Sequence, residues 1–229
     1  NEVLKFDQLI LLDVIEPSIP NNDPRVKVFV LDLSNTEEVA KLVNAHCQAI
    51  FHLAAIVSSH AESDFDLGMK VNFDITRNLL EICRNVSSKI KFIFTSSLAV
   101  FGGKLPDVIT DQTAVTPQSS YGAEKAMGEL LVNDYIRKGF VDGCVVRLPT
   151  ICVRPGKPNK AASSFVSSII REPLQGDAAI CPVKESLELW LSSPAMVIRN
   201  IAHAATLTEQ DFSTYRTINL PGITVTVAE

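Results

Sequence analysis

The 229 residues carry a formal net charge of −5, with 46% apolar and 21% charged side chains. Those proportions exclude a disordered chain, and the length suffices to bury the core of one large domain or of a domain with a small appendage. Scattered lysines and a negative balance exclude a basic face for nucleic acid. No apolar run approaches the about 18 residues that span a bilayer and the start lacks a leader pattern, so neither membrane anchor nor signal peptide is expected. Cys47, Cys83, Cys144, Cys152 and Cys181 form an odd set without a C-x-x-C pair, which fits reduced thiols and a cytoplasmic setting.

In chain order, LILLD at 9–13, VKVFVLD at 26–32, AIFHLAA at 49–55, KFIFTSS at 91–97 and CVVRLP at 144–149 are short apolar runs rich in Val, Ile and Phe. Strands covered on both faces need that pattern. Between them, 36–45, 64–86 and 121–138 return apolar residues every three or four positions and are predicted helices. Asn35 or Ser34 can cap the first, with Glu37 and Glu38 complementing its dipole. The alternation predicts a doubly wound α/β fold with a parallel sheet. From Ile151 onward the pattern loosens, with one late strand at 216–220, so 1–150 is expected to form the sheet domain and 151–229 a small substrate-binding appendage. Trp190 is assigned to the core of that appendage.

The chemistry-bearing motif is Tyr121-Gly-Ala-Glu-Lys125, because a spacing of four puts phenol and ammonium on one helix face. A nearby cation stabilises the phenolate and makes Tyr121 a candidate base; an incidental Y-x-x-x-K on an ordinary helix is the alternative. Upstream, the strand at 91–97 runs into Ser96, Ser97, Leu98, Ala99, Val100, Phe101 and Gly102. A serine at the C-terminal end of a parallel strand faces the ligand crevice of such sheets, or simply caps the strand end; Ser96 is the weaker candidate.

These two motifs together resemble the extended short-chain dehydrogenase and sugar-nucleotide epimerase family, in which a T/S-S-S-x-x-V-[YF]-G strand end precedes a Y-x-x-x-K helix. The resemblance implies a Rossmann-type NAD-binding domain over 1–150, with Ser97, Tyr121 and Lys125 as catalytic residues. Asp13 would then accept the adenosine ribose hydroxyls and oppose a 2′-phosphate, favouring NAD over NADP. Asp32 and Leu33 would meet adenine, Leu53, Ala54 and Ala55 would let the backbone approach the cofactor, Asn72 would lie near the nicotinamide ribose, and Pro149 would pass the nicotinamide. Each has a bland alternative as a turn, packing or solvated helix residue. The family also implies a homodimer built from the helices at 64–86 and 121–138.

The family begins with a strand and glycine-rich turn that this chain does not contain, and its order 3-2-1-4-5-6 puts that strand between those ending at Asp13 and Leu53. A longer natural protein is therefore expected, with those two strands not paired to each other. Within the family, RLPTICVRPGKPNKAASSF, IIREPL and INLPG resemble the branch that oxidises C2 of the sugar acid D-erythronate. Such a substrate needs cations and hydroxyls; Arg154 is the first candidate, with Ser164, Lys157, Ser163 and Arg171. A nucleotide-sugar epimerase or dehydratase using the same three residues is the alternative enzyme, and a non-catalytic NAD sensor is the alternative of another class. No histidine or cysteine pattern has metal-ligand spacing, so no metal is expected, and no G-x-S-x-G elbow supports a hydrolase.

Overall fold

The computed structural model describes residues 4–19, 23–86, 89–156, 161, 163–212 and 215–229. Strand β1 (Leu9–Asp13) pairs in parallel with β2 (Val26–Val30). Helix α1 (Thr36–Leu42) follows, its Asn35 side chain accepting from the Glu38 N–H as expected of a cap. Strand β3 (Ala49–His52) leads into α2 (Ser58–Ser63), α3 (Phe65–Gly68), a wide π turn at Met69–Asp74 and α4 (Ile75–Arg84). Strand β4 (Lys91–Ser97), helix α5 (Ser120–Arg137) and β5 (Asp142–Leu148) come next. The remainder comprises β6 (Thr150–Ile151), α6 (Ser164–Leu174), β7 (Glu188–Ser192), α7 (Pro194–Ala204), β8 (Thr217–Asn219) and β9 (Ile223–Thr226).

The central sheet has the order β3-β4-β5-β8, parallel throughout. β1 and β2 stand as their own parallel pair, and among the described residues no ladder joins β1 to β3. The α/β character, the parallel pairing and the separation of β1 from β3 agree with the sequence expectation. One strand of the later region, β8, closes the main sheet beside β5, while β6, β7 and β9 form a small mixed sheet. Trp190 on β7 packs against Gly222, whose pro-β position lies 2.5 Å from its indole Nε1.

Three local predictions need correction. The strand expected over 26–32 ends at Val30, because Asp32 turns the chain by accepting from the Ser34 N–H at 2.8 Å. The strand expected over 49–55 ends at His52, where the chain peels away towards α2. The single helix expected over 64–86 is a composite: Asp64 caps α3, accepting from the Leu67 N–H at 3.1 Å, and the backbone widens into a π turn before α4.

Side chains alternate across β4, so its two faces feed two cores. Phe92 and Phe94, both fully buried, pack with Leu80, Ile90, Val132 and Val141 beneath α4 and α5. Ile93 joins Cys144, Val146, Ala204 and Leu220 on the other face, under α7. A buried aromatic or branched side chain of this size contributes about 1.5–3 kcal/mol, and the paired cores hold β4 and β5, whose C-terminal ends carry the site.

Candidate active site

Ser97 is the last residue of β4, at the C-terminal edge of the parallel strands. Its Oγ accepts from the Ala99 N–H at 3.2 Å, and its hydroxyl acts on the Tyr121 phenol, lowering its pKa. Tyr121 stands in the first turn of α5, whose start is secured twice: the Ser119 hydroxyl accepts from Gly122 N–H at 3.2 Å, and the Glu62 carboxylate from Ser120 N–H at 2.9 Å. The glycine after Tyr121 has a steric cause, since a β-carbon there would sit 2.2 Å from the Ala99 carbonyl oxygen. That contact lets α5 press onto the turn that follows Ser97.

Lys125 lies one turn on, 2% exposed, donating from Nζ to the Thr95 carbonyl at 2.9 Å. Its ammonium sits 4.8 Å from the Phe94 ring centre and 5.9 Å from that of Tyr121, both within cation–π range. Burial pulls its pKa down to about 8, with Glu124 and then Glu129 opposing the fall. Burial raises the Tyr121 phenol above its ordinary value; the Ser97 hydrogen bond works against that rise and Glu124 adds to it. In the chain alone, burial is the largest influence on the phenol and works against the phenolate.

The same face of α5 continues with Glu129 and Asn133 at successive steps of four. Glu129 receives Arg147 in a bidentate pair, Nε to Oε1 at 2.9 Å and Nη2 to Oε2 at 2.7 Å, with both side chains almost wholly buried. Ser96 Oγ also donates to Glu129, at 2.5 Å. Asn133 spans to β8, donating to Thr217 Oγ1 at 2.9 Å and accepting from Arg216 N–H at 2.9 Å. Ser96 is therefore committed to the ionic pair behind the site, and Ser97 is left facing Tyr121.

A second polar chain underlies Lys125. Thr95 Oγ1 donates to the His52 carbonyl at 3.0 Å, and His52 Nε2 lies 2.9 Å from Thr76 Oγ1, which donates to the Asn72 carbonyl at 3.0 Å. With its hydroxyl proton so used, Thr76 accepts from His52. Burial lowers the His52 pKa to about 3, Lys125 adding to the effect, so the ring is neutral.

The cofactor candidates fall into two groups. Asp13 is exposed at the end of β1, one carboxylate oxygen accepting from Ile15 N–H at 3.1 Å. Leu53, Ala54 and Ala55 follow the C-terminal end of β3, Leu53 being 57% exposed. Asp32 is used in its own turn, Leu33 packs against the α4–α5 core, and Pro149 is buried between β5 and β6. Asn72 is fully buried in the π turn; its Oδ1 accepts from Ile56 N–H at 2.9 Å and its Nδ2 donates to Ile56 O at 3.3 Å and Glu124 Oε2 at 2.6 Å. It is no solvated helix residue: it ties the loop after β3 to α5.

Of the substrate candidates, Arg154 has its N–H held by Ser167 Oγ at 3.0 Å and its carbonyl by Arg171 Nη1 at 2.7 Å, while its own Nη2 is buried without a hydrogen-bond partner. Arg171 is engaged in this support and in an ion pair with Glu172. Ser163 stands at the N-cap position of α6 without a side-chain capping bond, and Ser164 opens the helix; Lys157 lies outside the described residues.

Glu124, Glu129, Asn133 and His52 do not stand out in the sequence. The Arg in CVVRLP carries the clearest signal for them, since a cation inside an apolar strand requires a buried acceptor. Among the described residues no helix is long and apolar enough to cross a membrane, and there is no group of three or more metal-ligating side chains.

This edge, with a serine strand end and a Tyr/Lys helix face, defines the class: the chain belongs to the NAD dependent epimerase/dehydratase family, whose profile matches residues 9–193. It is thus an enzyme of the extended short-chain dehydrogenase type. Two relatives named D-erythronate dehydrogenase are similar over nearly the whole chain. The protein from Haemophilus influenzae is 62% identical over 98% of this chain and 71% of its own length. That from Cupriavidus necator is 53% identical over 96% and 68%. A solved structure from Agrobacterium tumefaciens, described as a nucleoside-diphosphate-sugar epimerase, is 45% identical, with a TM-score of 0.89 over 97% of this chain and 67% of its own. L-threonine 3-dehydrogenase from Trypanosoma brucei is 26% identical, with a TM-score of 0.84 over 96% and 68%.

Proposed function

We propose that the protein oxidises C2 of a small sugar acid, D-erythronate to 2-dehydro-D-erythronate, with NAD as the oxidant. The observation that carries this reading is the assembly of Ser97, Tyr121 and Lys125 at one sheet edge, in a chain 62% and 53% identical to two D-erythronate dehydrogenases. The cofactor candidates fit the group. Asp13 offers an exposed carboxylate to a ribose diol, and the exposed Leu53 with the small Ala54 and Ala55 leaves room for a dinucleotide to pass. NAD, when bound, supplies the nicotinamide that accepts hydride from C2.

Tyr121, as phenolate, takes the C2 hydroxyl proton while the carbonyl forms. Ser97 donates a hydrogen bond to the same oxygen, and Lys125 holds positive charge beside the phenol. Arg154 binds the substrate carboxylate: a buried, unpartnered guanidinium nitrogen on a loop braced by Arg171 and Ser167 has donor capacity to spare for an anion. Ser164, at the start of α6, lies ten residues on and completes the substrate side. The proposed enzyme is a homodimer, as the resemblance implies, in the cytoplasmic setting that its unpaired cysteine pattern fits.

The 45% identity to a structure described as a nucleoside-diphosphate-sugar epimerase favours a second reading, in which the same three residues act on a nucleotide sugar and return the hydride. A panel of C4 to C6 sugar acids and UDP-sugars decides between them. The proposal expects NADH to accumulate with D-erythronate, and Arg154→Ala to raise KM for the acid while leaving KM for NAD near normal. Epimerised UDP-sugar without net NADH would establish the second reading instead.

A further inference from the structure

Around the catalytic face of α5, the buried charged side chains among the described residues are Glu124, Lys125, Glu129 and Arg147, with Arg216 beyond Asn133 paired to Asp142. Glu129 and Arg147 neutralise each other in a bidentate pair. His52 is neutral, and Glu62, which is exposed, holds the Ser120 N–H. What remains is one cation, Lys125, and one anion, Glu124, which are 2% and 1% exposed.

Glu124 is built into this place. Its Oε2 accepts from Asn72 Nδ2 at 2.6 Å, whereas its Oε1 is buried without any hydrogen-bond partner. That oxygen lies against Gly68, where an added β-carbon would come within 2.3 Å of it. α3 thus carries its smallest residue where the carboxylate needs room. Lys125 Nζ is likewise short of polar partners, with the Thr95 carbonyl and two aromatic rings around it. Among the described residues the two form no salt bridge, but both are buried, where charges are felt far more strongly than in water.

We propose that Glu124 is the buried counter-ion that keeps Lys125 an ammonium, and so a positioning residue for the charge of the dehydrogenase site. The inference rests on the proposed function for its catalytic meaning. The direction of the electrostatics agrees: burial drives the Lys125 pKa down to about 8, and Glu124 is the larger of two carboxylate influences holding it up. Burial raises the Glu124 carboxyl and Glu62 adds to this, while the Asn72 hydrogen bond and Lys125 favour its ionised form. Removing the carboxylate leaves Lys125 facing Glu129, already paired with Arg147, and a larger share of it neutral at pH 7.

The test is an NMR titration of the Lys125 side chain in the intact protein without cofactor, its signal assigned by its loss in Lys125→Met. Glu124→Gln keeps the shape and, with its amide flipped, the Asn72 hydrogen bond, but removes the charge. Glu124→Asp keeps the charge but shortens the reach to Asn72. The proposal expects the Lys125 midpoint to fall in Glu124→Gln, to stay near wild type in Glu124→Asp, and the alkaline limb of kcat/KM to follow it. Glu124→Leu, a second neutral variant, must shift it in the same direction, which covers a failure of the glutamine variant to fold. An unchanged midpoint in the neutral variants, or an equal fall in Glu124→Asp, overturns the proposal. A fall in midpoint in a protein that oxidises no sugar acid would uphold the counter-ion and refute the dehydrogenase reading.

Discussion

At Tyr121 two opposing effects meet: burial raises the phenol's pKa, and the Ser97 hydrogen bond lowers it. Ser97 is accordingly more than a donor to substrate, because it also acts on the base. Tyr121→Phe removes the base and little of the packing, so it should abolish turnover while thermal unfolding stays close to wild type; near-normal turnover would show that the base lies elsewhere. Ser97→Ala deletes one preorganised donor and should cost about 10²-fold or more in kcat, with NAD affinity retained in a binding titration. Asp13 presents its carboxylate at the open end of β1. Asp13→Ala should narrow the preference for NAD over NADP in kcat/KM, an expectation that equal use of both cofactors by the unaltered enzyme would contradict.

At the scale of elements, α5 is the part that assembles the site, and its sequence serves two neighbours at once. Gly122 and Gly128 admit the Ala99 carbonyl and the Phe94 ring, which would lie 2.2 and 2.7 Å from added β-carbons. Gly122→Ala should therefore lower kcat by moving Tyr121 off Ser97, a change visible as lost activity in a protein with intact helical circular dichroism. The stripe of Lys125, Glu129 and Asn133 bolts the helix to β4, β5 and β8. Breaking a buried ion pair by removing one partner costs about 3–5 kcal/mol, so Glu129→Ala, which strands Arg147, should lower the urea midpoint strongly. A loss within experimental error would mean that Arg147 finds another acceptor.

Strands β1 and β4 are legible to the residue, because a short apolar run bounded by polar turn residues is too brief for a buried helix and suits a covered strand. The pair Tyr121 and Lys125 is legible because helical spacing alone places them together. The π turn is not, since periodicity of three and four cannot register one extra residue in a turn. Glu124 escapes a sequence reading for a different reason: its partner Asn72 is 52 residues away, and the gap opposite its carboxylate is made by Gly68 of a third helix. Along the chain both are ordinary helix residues, and only the closed fold brings them together.

For the whole molecule, His52 sets an acid limit. It is fully buried and neutral, with a pKa lowered to about 3 from 6.5 by burial and then by Lys125. Above 6.5 neither folded nor unfolded state binds the proton, and the group adds no pH dependence. Between 6.5 and about 3 the unfolded chain binds it and the folded protein does not, so stability falls with pH by about 1.4 kcal/mol per unit from this residue. Urea unfolding between about pH 7 and 5 should show that decline, and His52→Leu should flatten it whatever its stability at neutral pH; an equally steep decline in the variant would assign the effect to other groups.

The central claim joins the Ser97, Tyr121 and Lys125 edge to the oxidation of a sugar acid, and isotope transfer tests that connection in one reaction. The intact protein is supplied with NAD and D-erythronate carrying deuterium at C2, and NADH is examined for the label. The account predicts deuterated NADH and 2-dehydro-D-erythronate in equal amounts from the wild type and neither from Tyr121→Phe. Unlabelled NADH, or label transfer that persists in Tyr121→Phe, would contradict it.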